Sequence, residues 1–144
     1  AEVIKEHHGR RWMHTGDIGH IDQDGCVFID GRIKRMIIRF DGVKIFPTYI
    51  EEKMLTCQYV GDCCCVAAKD EYHEIGQVPV VFYTTTTDEK DTSIIETELR
   101  RISQESLPEY SQPSAYKKID ELPRTNAGKV DYKKLEDMNS LDIK

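Results

Sequence analysis

Three short stretches carry residues that could do chemistry. In PRTNAGKVDYKKL, residues 123–135, Lys129 directly follows Gly128. A lysine on a polar, glycine-hinged loop is a mobile point charge that can be brought to an anion. In HTGD, residues 14–17, Asp17 follows Gly16. Backbone can approach a ligand closely there, and the carboxylate can accept hydrogen bonds from two neighbouring sugar hydroxyls. In DGRIKR, residues 30–35, Arg32 follows Gly31 and offers a planar fork suited to phosphate or ribose oxygens. Each stretch also has a plainer use. Asp17 can be a turn former, Asp30-Gly31 the end of a hairpin, and Lys129 an exposed solubilising charge.

The lysine loop is not a phosphate-cradling Walker loop. That pattern needs a glycine where Pro123 stands and a Ser or Thr where Val130 stands. Nothing in the loop can wrap a triphosphate in backbone amides or hold Mg²⁺. Metal chemistry finds no better home elsewhere. His7-His8 and His14 read as solvated loop histidines, and no paired C-x-x-C motif occurs. Three of the five cysteines, Cys63-Cys64-Cys65, are consecutive. Neighbours on a strand point to opposite faces, so the run suits neither a disulfide framework nor a tetrahedral metal site. It reads as a buried strand that needs small side chains, with free thiols that suit a reducing cytoplasm.

Composition narrows the function classes. The 144 residues allow one modest domain, or one domain with a piece of another. Twenty Lys and Arg against 26 Asp and Glu leave a net charge of −6. That argues against a nucleic-acid-binding or anionic-membrane surface. No apolar run approaches the roughly 20 residues of a membrane span, and the opening AEVIKEHHGRRW is polar, with no signal-peptide pattern.

The elements that must position these residues follow from pattern. Arms at 12–21 and 26–30 predict a hairpin turning at residues 22–25. Strands are expected at 33–40 and 43–46 around an Asp41-Gly42 turn. Thr48 and Glu51 form a capping-box pattern, predicting a helix from there to about Cys57. A turn at 60–62 leads to strands at 63–69 and 77–87. Ser93 and Glu96 suggest a second capping box, and Ile95, Leu99, Ile102 and Ser106 share one helical face ending before Pro108. A short strand at 115–122 and a helix at 131–138 close the chain, and residues 84–92 read as a polar surface loop. The expected class is α+β, a small mixed β-sheet flanked by helices from about residue 34, preceded by a β-hairpin.

Taken in order, WMHTGD, GRIKRMIIRFDGVKIFPTYIEE and LPEYSQPSAYKKIDELPRTNAGKVDYKKL resemble the C-terminal portion of the adenylate-forming acyl-CoA synthetase superfamily. That superfamily includes acyl-CoA ligases, carrier-loading adenylation domains and luciferase. The resemblance runs from about Trp12 to Leu135. It implies that Asp17 binds both ribose hydroxyls of the nucleotide and that Arg32 contacts ribose and phosphate oxygens. It places Lys34 at the hinge, Gly42 in the loop lining the pantetheine tunnel, and Lys129 as the lysine of the adenylation step.

The resemblance further implies an ATP-dependent acid–thiol ligase that uses Mg²⁺ and coenzyme A when whole. Residues 1–33 are then the tail of the large adenylation domain, and 34–144 the mobile lid. The expected partners are the chain's own N-terminal adenylation domain, a carboxylic acid and CoA, in the cytoplasm. No nucleic acid, membrane span or metal site is expected, nor any cofactor held tightly by these 144 residues alone, which should not turn over. The segment between Arg32 and Gly42 is one residue longer than in many relatives, and the Phe-Pro before the first helix leans toward CoA ligases. Two alternatives remain open. The acyl group could pass to a carrier-protein pantetheine, or the chain could be a non-catalytic module that binds a partner through its sheet.

Overall fold

A computed structural model describes residues 3–86 and 91–141. Two hairpins open the chain. β1 (Ile4–His7) pairs with β2 (Arg10–Met13), and β3 (Asp17–Ile21) with β4 (Val27–Arg32), both antiparallel. The expected arm at 12–21 is therefore two strands. The break falls at Gly16, whose φ of 80° is a left-handed turn that a side chain would resist. The turn at residues 22–25 is as expected, tied by Asp22 Oδ1 accepting the Asp24 and Cys26 amides.

Residues 33–40 do not form the strand expected of them. Ile33–Arg35 is a single 3₁₀ turn, and only β5 (Ile37–Ile38) pairs with β6 (Lys44–Ile45), across a turn that includes Gly42 at φ 81°. Extended structure fails because Arg35 turns inward to an acidic partner, which an alternating strand facing solvent would not allow. α1 (Pro47–Met54) starts with proline at its first position. Proline fixes φ there and lacks only an amide hydrogen that a helix start leaves unpaired. Phe46 occupies the cap with no side-chain hydrogen bond, so the Thr48–Glu51 capping box does not form. Glu51 is drawn away to Arg35, and the helix stops short of Cys57.

The centre is a three-stranded mixed sheet in the order β7-β8-β9. β7 (Val60–Lys69) runs antiparallel to β8 (Gln77–Thr85), and β9 (Ala115–Lys118) lies parallel to β8. The expected turn at 60–62 is instead the bulged start of β7. α2 (Thr92–Ser106) makes the crossover between the parallel strands. Its cap is Asp91, which accepts the Ser93 amide at 2.9 Å, and not Ser93 itself. Ile95, Leu99 and Ile102 are buried on the predicted face. β9 ends four residues early, and α3 (Tyr132–Leu141) closes the described chain. Part of the expected 84–92 loop belongs to β8; residues 87–90 lie outside the described residues.

Helices cover both faces of this sheet. Cys63, Cys65, Val81 and Tyr83 face α1 and α2, packing with Ile50, Met54, Leu99 and others. Cys64, Val66, Val80 and Phe82 face the opposite way, toward Leu122 and Leu135 of the α3 side. A strand buried on both faces admits apolar residues at consecutive positions. The cysteine run is thus explained: all three free thiols are buried, on alternating faces of the strand. The α+β class and flanked mixed sheet are as expected.

Candidate functional site

Thr15, Gly16, Arg32, Lys34, Arg35, Cys64, Lys129, Val130 and Tyr132 line one cleft of about 420 Å³. Three of the residues singled out in the sequence, Arg32, Lys34 and Lys129, meet there, although 97 positions separate the first from the last. Asp17 does not line it but is bonded to Arg32, which does. The β3–β4 register sets Asp17 opposite Arg32, and Arg32 Nη1 donates to Asp17 Oδ1 at 2.6 Å and to the Thr15 carbonyl at 3.1 Å. The hydrogen bond from Arg32, with Thr15 adding to it, holds the Asp17 carboxyl below its usual value. Gly42 is not part of this cleft. Its loop packs elsewhere, where the neighbouring Phe40 stacks on His73 with ring centroids 3.5 Å apart.

Lys129 stands on a small hairpin turn. Arg124 and Val130 form an isolated antiparallel bridge. Inside it, the Thr125 amide donates to the Lys129 carbonyl at 2.7 Å and the Gly128 amide to the Thr125 carbonyl at 2.8 Å. Gly128, at φ 78°, turns the chain so that Lys129 projects outward. Lys129 is exposed, and among the described residues no carboxylate holds its ammonium. The cationic lining of the cleft suits an anion. Among the described residues no group of three His, Cys, Asp or Glu gathers to hold a metal.

Residues missed in the sequence reinforce the site from behind. Arg35 forms a two-pronged ion pair with Glu51 of α1 and donates to the Cys65 carbonyl at 3.1 Å. Its guanidinium lies 5.7 Å from the Tyr132 ring centre of α3. Glu51 also accepts the Cys65 amide at 2.8 Å. Arg35 therefore joins the 3₁₀ turn to α1, β7 and α3 together. Cys64 lines the cleft as an inert thiol, because burial pushes its pKa up to about 12.

Comparison with known proteins defines the class. Residues 49–129, more than half of the chain and ending on Lys129, match the family model for the AMP-binding enzyme C-terminal domain. The chain belongs to that family, the C-terminal domain of AMP-forming CoA ligases and their kin. Its relatives include 4-coumarate–CoA ligase 1 of Glycine max, 34% identical over 83% of this chain and 39% of that protein. A 2-succinylbenzoate–CoA ligase of Bacillus pumilus is 33% identical over 91% of this chain and 25% of its own length.

Solved structures agree. The o-succinylbenzoate CoA synthetase of Bacillus subtilis, in complex with its acyl-adenylate intermediate, superposes with a TM-score of 0.77 at 26% identity. That match covers 91% of this chain and 25% of the synthetase. An anthranilate CoA ligase in complex with anthranoyl-AMP shares the fold, with a TM-score of 0.81 at 23% identity over 92% of this chain and 25% of that one. The chain thus spans between a quarter and two fifths of the length of these relatives. No helix among the described residues is long and apolar enough to cross a membrane.

Proposed function

We propose that residues 34–144 are the mobile lid of an ATP-dependent acid–CoA ligase and residues 1–33 the tail of its adenylation domain. Lys129 is the catalytic cation of the first half-reaction, and Asp17 and Arg32 hold the nucleotide. In that step a carboxylate oxygen of the acid attacks the α-phosphorus of ATP. The bond from that phosphorus to the bridging oxygen breaks, and pyrophosphate leaves. Negative charge spreads over the phosphate oxygens, where an ammonium delivered into a dry cleft stabilises it. In the second step the thiol of CoA attacks the acyl carbonyl carbon, loses its proton and expels AMP. Lys129 has no use in that step, so a lid swinging about Lys34 can withdraw it and bring the Gly42 loop to the pantetheine.

The observation that carries this reading is the placement of Lys129, exposed on a glycine-turned hairpin and sharing a cleft with Arg32 and Lys34. Mg²⁺ would neutralise phosphate charge when bound, and its ligands belong to the large domain. The acyl pocket lies there too, so acid specificity is set outside these residues. The chain alone is expected to lack turnover.

The test is Lys129→Ala in a full-length ligase carrying this domain. Acyl-adenylate formation should fall ~10²–10³-fold, as for removal of other single transition-state donors. Thioester formation from a supplied adenylate should stay within about 2-fold, since the lysine is withdrawn for that step. Equal losses in both steps, or adenylate formation by the 144-residue chain alone, would refute the proposal. Acyl transfer to a carrier protein in preference to CoA would retain the first step and replace the acceptor.

A further inference from the structure

The turn that carries Lys129 has little of its own to hold it still. Residues 124–129 are all exposed, and the hydrogen bonds within the turn fix its shape without fixing where it points. One side chain does both. Arg124 Nη1 donates to the Gly128 carbonyl at 3.1 Å, and Arg124 Nη2 reaches Asp62 Oδ2 at 3.3 Å. A single planar guanidinium therefore grips the peptide group just before Lys129 and fastens it to the start of β7.

Asp62 is itself fixed. Its Oδ1 accepts the Cys63 amide at 2.9 Å, and its own amide donates to Thr84 Oγ1 of β8 at 3.0 Å. The bulge leaves Gly61 without a partner between the Val60–Thr85 and Asp62–Thr84 pairs, so Asp62 keeps its place in the ladder beside Thr84. Crowding at the bulge explains the glycine, since a Cβ there would lie 3.2 Å from Thr84 Oγ1. The linkage is continuous: Thr84, Asp62, Arg124, the Gly128 carbonyl, then Lys129.

We infer that Arg124 is a positioning residue for the adenylation half-reaction, setting the direction of the Lys129 turn through its paired contacts with Gly128 and Asp62. The inference rests on the role proposed above for Lys129 and adds how that lysine is aimed. The Arg124–Asp62 pair is about half exposed on both sides, and such pairs contribute little to folding. Its value lies in direction. Catalytic groups lose rate steeply when their placement loosens by an ångström.

The experiment measures both half-reactions in the full-length ligase. Arg124→Ala should lower the rate of acyl-adenylate formation about 10-fold, because the lysine remains but wanders. KM for ATP, thioester formation from supplied adenylate and the melting temperature should hardly change. Arg124→Lys should recover part of the rate, since an ammonium cannot span both acceptors in one plane. In a Lys129→Ala background, Arg124→Ala should cause no further loss, because its effect passes through that lysine. An additive loss in that background, or an equal slowing of both half-reactions, would overturn the inference. So would full adenylation activity in Arg124→Ala when Lys129→Ala is inactive, which leaves the role of Lys129 standing. If Lys129→Ala adenylates normally, both proposals fall.

Discussion

Removing the Glu51 carboxylate should destabilise the domain more than any other single surface-reaching change. Glu51 has two tasks. It pairs with Arg35 in a forked geometry and accepts the amide of Cys65, a residue only 1% exposed. Breaking one side of a buried ion pair typically costs about 3–5 kcal/mol, because the other charge is stranded. Here the side chains retain 21% and 15% exposure, so water can reach Arg35 and about 2–3 kcal/mol is the better figure. Orphaning the Cys65 amide adds roughly 1–3 kcal/mol. Glu51→Ala should therefore lose about 3–6 kcal/mol in urea unfolding of the 144-residue chain, followed by far-ultraviolet circular dichroism. At this size the loss corresponds to a melting temperature lower by roughly 10–20 °C.

Glu51→Gln separates the two contributions. The amide side chain keeps an acceptor for Cys65 and loses only the charge, so a cost of about 1–2 kcal/mol is expected. Adding Arg35→Met to Glu51→Gln should return part of that loss, since no charge is left stranded. Equal costs for Glu51→Ala and Glu51→Gln would show that the Cys65 amide does not depend on this carboxylate. A loss below about 1 kcal/mol for Glu51→Ala would refute the whole account of the pair.

Two further outcomes are expected. Because the Arg32 hydrogen bond depresses its folded pKa, Asp17 should titrate below 3.8 by carboxyl-carbon NMR, and Arg32→Ala should bring the midpoint back up. The Asp17–Arg32 contribution is then present above the unfolded carboxylate pKa and disappears as pH falls through the lower folded value; an unchanged midpoint in Arg32→Ala would contradict it. Gly76→Ala should cost at least about 2 kcal/mol by urea unfolding. Its φ is 105° and a Cβ would stand 2.4 Å from the Phe40 amide nitrogen, so a neutral substitution would mean that the Phe40 backbone yields freely.

Local chemistry made much of this legible in the sequence. The α2 face was readable because Ile95, Leu99 and Ile102 recur at helical spacing. The Asp41-Gly42 turn was readable because only glycine sits easily at φ 81°. The Cys63–Cys65 run declared a strand buried on both sides, since no half-exposed strand places three small apolar residues in succession. What escaped notice depends on partners far away in sequence. Nothing near Arg35 announces Glu51, 16 residues on, yet that pair ends the expected strand and dissolves the expected capping box. The Gly61 bulge and the Arg124 contact with Asp62 were hidden for the same reason, the first depending on the β7–β8 register and the second on a partner 62 positions away. Arg32 and Lys129 were singled out by type and Lys34 by the family resemblance, but their common cleft is a product of tertiary structure.

The same contacts bear on where a lid could pivot. A pivot is a short stretch whose two flanks are each fastened to a different body. On one flank Arg32 is bound to Asp17 in the β3–β4 hairpin, and the Ile33 amide donates to the Gly16 carbonyl at 2.9 Å. On the other, Arg35 is bound to Glu51 and the Cys65 carbonyl within the central domain. Lys34 alone lies between the two sets of anchors, exposed. Across it runs one long 3₁₀ bond, from the Met36 amide to the Ile33 carbonyl at 3.3 Å. Rotation about the Lys34 dihedrals would break that bond and leave both sets of anchors intact. Rotation about the Arg32 dihedrals would tear the Ile33 amide from Gly16, and rotation about ψ of Arg35 would strain a forked ion pair. Among residues 32–36, then, a swing costs least at Ile33 and Lys34, which supports the hinge role proposed for Lys34 and accounts for Arg35 being tied to the domain that would move.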